Sequence, residues 1–135
     1  MYANYPIIWY SKLQTEIALS TTESEYVALL QSLRDVIPLI GLLGELKKII
    51  STDDSNPKIH CIVFKDNKGC IDLANSPRVR PSTKHIALKY HYFRSFIGNT
   101  MSVHYIETTE QIADIFTKSL NDTQFCKLSY CLNGW

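Results

Sequence analysis

The apolar positions change rhythm several times along the chain, and each change predicts an element. Ile7-Ile8-Trp9-Tyr10 follows Pro6 as a β-branched and aromatic run, which predicts a strand with Trp9 as a sheet or core anchor. Ile17-Ala18-Leu19 resumes the apolar character after a polar stretch and extends that strand. From Ser20 the rhythm becomes helical, with Val27, Leu30, Leu33 or Arg34, and Ile37 spaced by three and four. Two overlapping capping boxes, Ser20-x-x-Glu23 and Thr22-x-x-Glu25, mark the helix start. Pro38 is expected to kink or end this helix, because it lacks the N–H that the ladder needs. Helical character continues over 39–46, weakened by Gly41 and Gly44.

A polar loop over 51–57 leads to the clearest strand pattern, 58–65, apolar on both faces in its middle as a central strand is. A short helix follows over 67–74, then a loop over 75–81 with Pro77, Arg78, Arg80 and Pro81. Ser82 or Thr83 caps a helix over 84–97, Gly98-Asn99 makes a turn, and 101–106 is a strand. The capping box Thr108-x-x-Gln111 opens a helix to about 120, and 125–135 is a short amphipathic closing segment. The order strand, helix, strand, helix, helix, strand, helix predicts an α/β fold, a small mixed sheet flanked by helices. Sites in such folds collect at the carboxyl ends of strands. Asp66 falls at one such end.

At 135 residues and 45% apolar, the chain suits one domain with one core. A net charge of +1 excludes a binder that works by bulk positive charge, though not a local basic face. Cys61, Cys70, Cys126 and Cys131 form no CxxC pair, zinc knuckle or disulfide ladder, which favours an intracellular, reducing compartment. No apolar run reaches membrane-spanning length, so no membrane-spanning segment is expected.

Three carboxylates lie near element ends: Glu25 at a helix start, Asp66 after a strand, and Asp114 in 111–118. Gathered together, they could hold divalent metal for phosphodiester hydrolysis, which uses two ions about 4 Å apart. Magnesium takes such oxygen ligands and keeps some water. Each also has a plain structural reading. Glu25 could cap Thr22, Asp66 could form a strand-end turn with Asn67, and Asp114 could favour the positive end of its helix. Ahead of the first helix the only acidic residue is Glu16.

A set of motifs in order covers nearly the whole chain. They are Ile8-Trp9-x-Ser11-Lys12-Leu13-Gln14-Thr15, Ala18-Leu19-Ser20-Thr21-Thr22-Glu23-Ser24-Glu25-Tyr26, and Lys65-Asp66-Asn67-Lys68-Gly69. Pro81-Ser82-Thr83-Lys84-His85-Ile86, Lys89-Tyr90-His91-Tyr92-Phe93-Arg94 and Ala113-Asp114-Ile115-Phe116-Thr117-Lys118-Ser119-Leu120 follow. On these motifs the chain resembles the ribonuclease H region that ends the polyprotein of copia-type (Pseudoviridae-like) retrotransposons. The resemblance implies a ribonuclease H-like fold and hydrolysis of the RNA strand of RNA/DNA hybrids with Mg2+ or Mn2+. It makes Glu25, Asp66 and Asp114 the catalytic metal ligands, and Glu23 the less favoured carboxylate of the helix start. Asn67, Lys84, His85 and Lys118 become substrate-side residues.

The departure is at the front. The family has two more strands before Ile7, the first carrying an aspartate that bridges both metals, and no residue here matches it. The expectation is therefore a single, incomplete ribonuclease H-like domain over 1–135, a remnant or domesticated copy with little or no activity by itself. The strand ending at Asp66 loses its central neighbour, leaving backbone groups to be paired. Upstream reverse transcriptase/ribonuclease H sequence or a partner protein adding a strand could fill the gap. The remaining strands could also re-pair among themselves. Two other functions stay open: a noncatalytic interaction subunit, and a hybrid binder without cleavage. For the latter, Arg78, Arg80, Lys84, His85, Lys89 and Arg94 would face a nucleic-acid backbone, or merely solvent. Tyr90, Tyr92 and Phe93 read as core rather than stacking platforms.

Overall fold

A computed structural model describes residues 1–2, 5–9, 11–50, 59–76, 93 and 95–133. Its elements are helix α1 (Thr21–Ile50), strand β1 (Cys61–Lys65), helix α2 (Lys68–Asn75) and strand β2 (Met101–Tyr105). Two 3-10 turns (Thr108–Glu110 and Ile112–Phe116) and helix α3 (Asp122–Asn133) complete it. The chain divides into two compact units, Glu16–Tyr105 and a second made of Met1–Thr15 with Ile106–Trp135.

In the first unit β1 and β2 pair in parallel, in register from Cys61 opposite Met101 to Lys65 opposite Tyr105. Gly98, at φ 93°, makes the turn into β2, where its N–H donates to the Met101 carbonyl at 2.7 Å. The inner face of the sheet, with Met101 and Val103 buried, joins Tyr26, Leu29, Leu30 and Leu33 of α1 and Cys70, Leu73 and Ala74 of α2 in one core. The α1 stripe thus runs through Tyr26 and Leu29 as well as the expected Leu30 and Leu33, while Arg34 is exposed. Phe93 packs against this core, as expected of a core residue rather than a stacking platform.

The start of α1 is capped as its sequence signals. The Glu23 N–H donates to Ser20 Oγ at 3.1 Å, and the Leu19 N–H donates to Glu23 Oε2 at 2.9 Å. Asn67 caps α2, its Oδ1 accepting from the Cys70 N–H at 2.9 Å. Gly69 allows α2 to approach α1: a Cβ there would meet Thr22 Oγ1 at 3.0 Å.

Several expectations are corrected. Pro38 neither ends nor divides α1, which continues through it for 30 residues. Its ring sits on an exposed face, and packing of the preceding turns against the core outweighs one missing hydrogen bond. Because the two apolar halves are thereby joined, α1 is long and apolar enough to cross a membrane by length and composition, contrary to the expectation of no such span. Its first half is nevertheless a core helix. Strand β1 is not apolar-buried on both faces: Ile62 and Phe64 are 54% and 49% exposed, because no described element covers that side. Among the described residues the sheet has two parallel strands and is not mixed. The first apolar run forms no strand over its described residues, and Trp9 is 60% exposed rather than an anchor. Among the described residues it has no ladder partner, and the nearby Tyr2–Tyr5 bridge is isolated. The helix expected from Thr108 is two 3-10 turns without a side-chain cap. The expected 84–97 helix, with Lys84, His85, Lys89, His91 and Arg94, lies almost wholly outside the described residues, as do Arg78 and Arg80.

Candidate carboxylate site

Alternation along β1 turns Cys61, Val63 and Lys65 to the inner face. The last of these is a lysine, and its side chain is only 15% exposed. The ammonium finds its counter-charge on α1: Lys65 Nζ donates to Glu25 Oε2 in an ion pair. Glu25 therefore does not cap Thr22. It crosses to the carboxyl end of β1, where Asp66 follows at once and Asn67 starts α2. The parallel pairing, the short turn into α2 and the close approach at Gly69 together bring Glu25, Lys65 and Asp66 to one strand end.

The Cys70 thiol lies beneath this group, fully buried. Burial raises its pKa from the ordinary 9.0 to about 11. The Lys65 charge opposes the rise, and the Glu25 and Asp66 carboxylates add to it. The same thiol thus feels all three charges.

Asp114 belongs to the other unit. It sits in the second 3-10 turn, buried, and its Oδ2 accepts from Lys118 Nζ at 2.9 Å. Its carbonyl also closes the turn, accepting from the Thr117 and Lys118 N–H groups at 3.1 and 2.9 Å. Lys118 is half-exposed, one turn beyond the aspartate it neutralises.

Of the expected ligands, the structure brings Glu25 and Asp66 to the same strand end and sets Asp114 in a separately folded turn. Among the described residues no three His, Cys, Asp or Glu side chains gather as a group that could hold a metal ion. The donor chemistry is suited to magnesium, which prefers carboxylate oxygen. Two of the three carboxylates, however, carry a lysine ammonium. Asn67 spends its side-chain oxygen on the α2 cap. Lys84 and His85 lie outside the described residues. Sequence reasoning missed Lys65 as the partner of Glu25. The available signal was a charged residue at an inward position of a strand pattern, which needs a counter-charge.

Over 124 residues, 90% of this chain, the sequence is 35% identical to the retrovirus-related Pol polyprotein from transposon TNT 1-94 of Nicotiana tabacum, covering 9% of that protein. It is 33% identical over 127 residues, 93% of the chain and 8% of the relative, to the corresponding polyprotein from transposon RE2 of Arabidopsis thaliana. Identity to the polyprotein from transposon RE1 of the same plant is 32% over 123 residues, 90% of the chain and 8% of the relative. No protein-family model and no solved structure matches the chain. The chain spans less than a tenth of the length of these curated relatives. Over nine-tenths of its own length it is homologous to a short stretch of the retrovirus-related Pol polyproteins of plant transposons.

Proposed function

We propose that this chain is the ribonuclease H portion of a copia-type retrotransposon polyprotein, a hydrolase fragment for the RNA strand of RNA/DNA hybrids that is inactive by itself. The observation carrying this reading is the end of β1, where a parallel strand delivers Asp66 beside a helix-start glutamate, Glu25. Glu25, Asp66 and Asp114 are the ligands proposed for Mg2+ or Mn2+. The metal, when bound, would supply charge stabilisation at the scissile phosphate. Within this chain, Lys65 and Lys118 hold Glu25 and Asp114 in place as ion pairs. Lys118 and the Lys84-His85 pair are the proposed contacts to the hybrid backbone. No aspartate of this chain matches the family's bridging ligand, so upstream polyprotein sequence is the proposed source of that carboxylate and of the strand beside β1.

Release of labelled RNA from an RNA/DNA hybrid tests the proposal. The chain alone should cleave no faster than its Asp66→Asn form. The chain joined to upstream polyprotein sequence should cleave with Mg2+ or Mn2+ and lose that activity on Asp66→Asn. Equal rates for the joined protein and its Asp66→Asn form would overturn the reading.

A second reading, a noncatalytic subunit completed by a partner strand, is favoured by one observation. Among the described residues β1 and β2 each have a strand neighbour on one side only. Native mass measurement separates the two: a lone, stable monomer counts against a required partner.

A further inference from the structure

The outer face of the sheet carries chemistry that the carboxylate site does not use. Alternation puts Ile62, Phe64, Ser102 and His104 on this face, opposite Lys65 and the core. His60, one residue ahead of β1, continues the same row. Its Nε2 lies 2.9 Å from Ser102 Oγ, and the Nε2 of His104 lies 3.0 Å from the same oxygen. Two imidazoles, one just ahead of β1 and one in β2, therefore point their outer nitrogens at one atom. The His104 ring is also set against Phe64, with centroids 6.4 Å apart at 49°.

A serine hydroxyl holds one proton, so it can donate to one of these rings while accepting from the other. The arrangement thus presents one Nε2 lone pair and one Nε2–H across a shared oxygen. A change of tautomer in the second ring would leave both lone pairs converging on the space beside Ser102. Both histidines are exposed, so their rings are free of core packing, and a shared zinc would need both nitrogens at about 2.0–2.1 Å. Imidazole is a preferred donor for borderline transition metals, whereas magnesium and calcium select oxygen.

We infer that His60, His104 and Ser102 form a surface site for a borderline divalent transition-metal ion, represented by Zn2+. The two imidazoles are its ligands, and open positions remain for water or another donor. The site is chemically separate from Glu25, which pairs with Lys65 of the inner face. In the metal-free chain the Ser102 hydroxyl engages both Nε2 atoms, and those hydrogen bonds give way when metal takes the lone pairs. Uptake competes with protons, because imidazole ligates only in its neutral form.

Calorimetric titration of the full chain with Zn2+, in excess Mg2+ and with thiols kept reduced, tests this. The chain also carries four cysteines, so Cys126→Ser/Cys131→Ser serves as the control background. One zinc should bind in that background. His60→Gln and His104→Gln should each abolish it. Zinc affinity unchanged in the His60→Gln/His104→Gln double variant, or no zinc uptake by the parent, would overturn the inference. Circular dichroism checks that the variants fold. If they do not, Co2+ titration of the parent followed by NMR decides. Joint broadening of the His60 and His104 ring signals supports the site, and broadening of neither or of one alone rejects it.

Discussion

Glu25 and Asp114 each hold a lysine ammonium, Lys65 and Lys118 respectively. Both pairs are partly exposed, so each stabilises the fold by only about 0–1 kcal/mol. Their larger effect is on chemistry, since any cation arriving at either carboxylate meets one already there. Beneath the first pair, Cys70 gives a residue-scale prediction with a defined sign. Burial holds its folded-state pKa near 11, above the ordinary 9.0 of the unfolded chain. The unfolded chain therefore releases this proton first as pH rises. The stabilisation is fully present below pH 9 and is lost as pH climbs toward about 11. Urea unfolding across that window should show a fall in stability in the parent that exceeds the fall in Cys70→Ala by on the order of 2 kcal/mol. Parallel pH profiles for the two proteins would show that Cys70 does not titrate differently on folding. Much at this scale was legible in the chain. Ser20, Glu23 and Asn67 are capping types in capping positions, and they cap. The Lys65–Glu25 pair was not legible, because it joins residues 40 apart in sequence and depends on how α1 lies over β1.

Among the elements, β1, α2, β2 and the turn at Gly98 follow their local patterns closely. Their signals are local: a β-branched run, an N-cap and a glycine at positive φ. The misread elements are those whose fate depends on distant partners. An apolar run such as Ile7-Ile8-Trp9 becomes a strand only if another strand offers it a ladder, and none does among the described residues. The segment after Thr108 has a capping-box sequence, yet it folds as two 3-10 turns in which Asp114 is buried. Helix α1 shows the opposite effect, with tertiary packing overriding a helix breaker. Pro38 still removes one backbone donor and crowds the carbonyl of Arg34. Pro38→Ala should therefore stabilise the fold by about 1–3 kcal/mol. The reading is a higher urea midpoint at unchanged slope. An unaltered midpoint would mean that α1 has relieved the clash without cost.

At the scale of the whole molecule, the chain leaves many apolar side chains in water. In the Glu16–Tyr105 unit they include the later turns of α1, with Leu42, Leu46, Ile49 and Ile50, the outer sheet face, with Ile62 and Phe64, and Ile17 and Leu19 ahead of α1. The α/β class and the position of Asp66 could be read from the chain, but this exposure could not. Hydrophobic periodicity reports which residues can be buried, not whether anything covers them. Exposed apolar patches promote association, and residues that touch nothing contribute little to folding free energy. Leu46→Lys with Ile49→Lys should therefore separate the two properties. Fluorescence of a bound hydrophobic dye and light scattering should both fall, while the unfolding free energy stays within about 0.5 kcal/mol of the parent. A loss of several kcal/mol would show instead that these positions are packed in solution, and the last turns of α1 would then belong to the core.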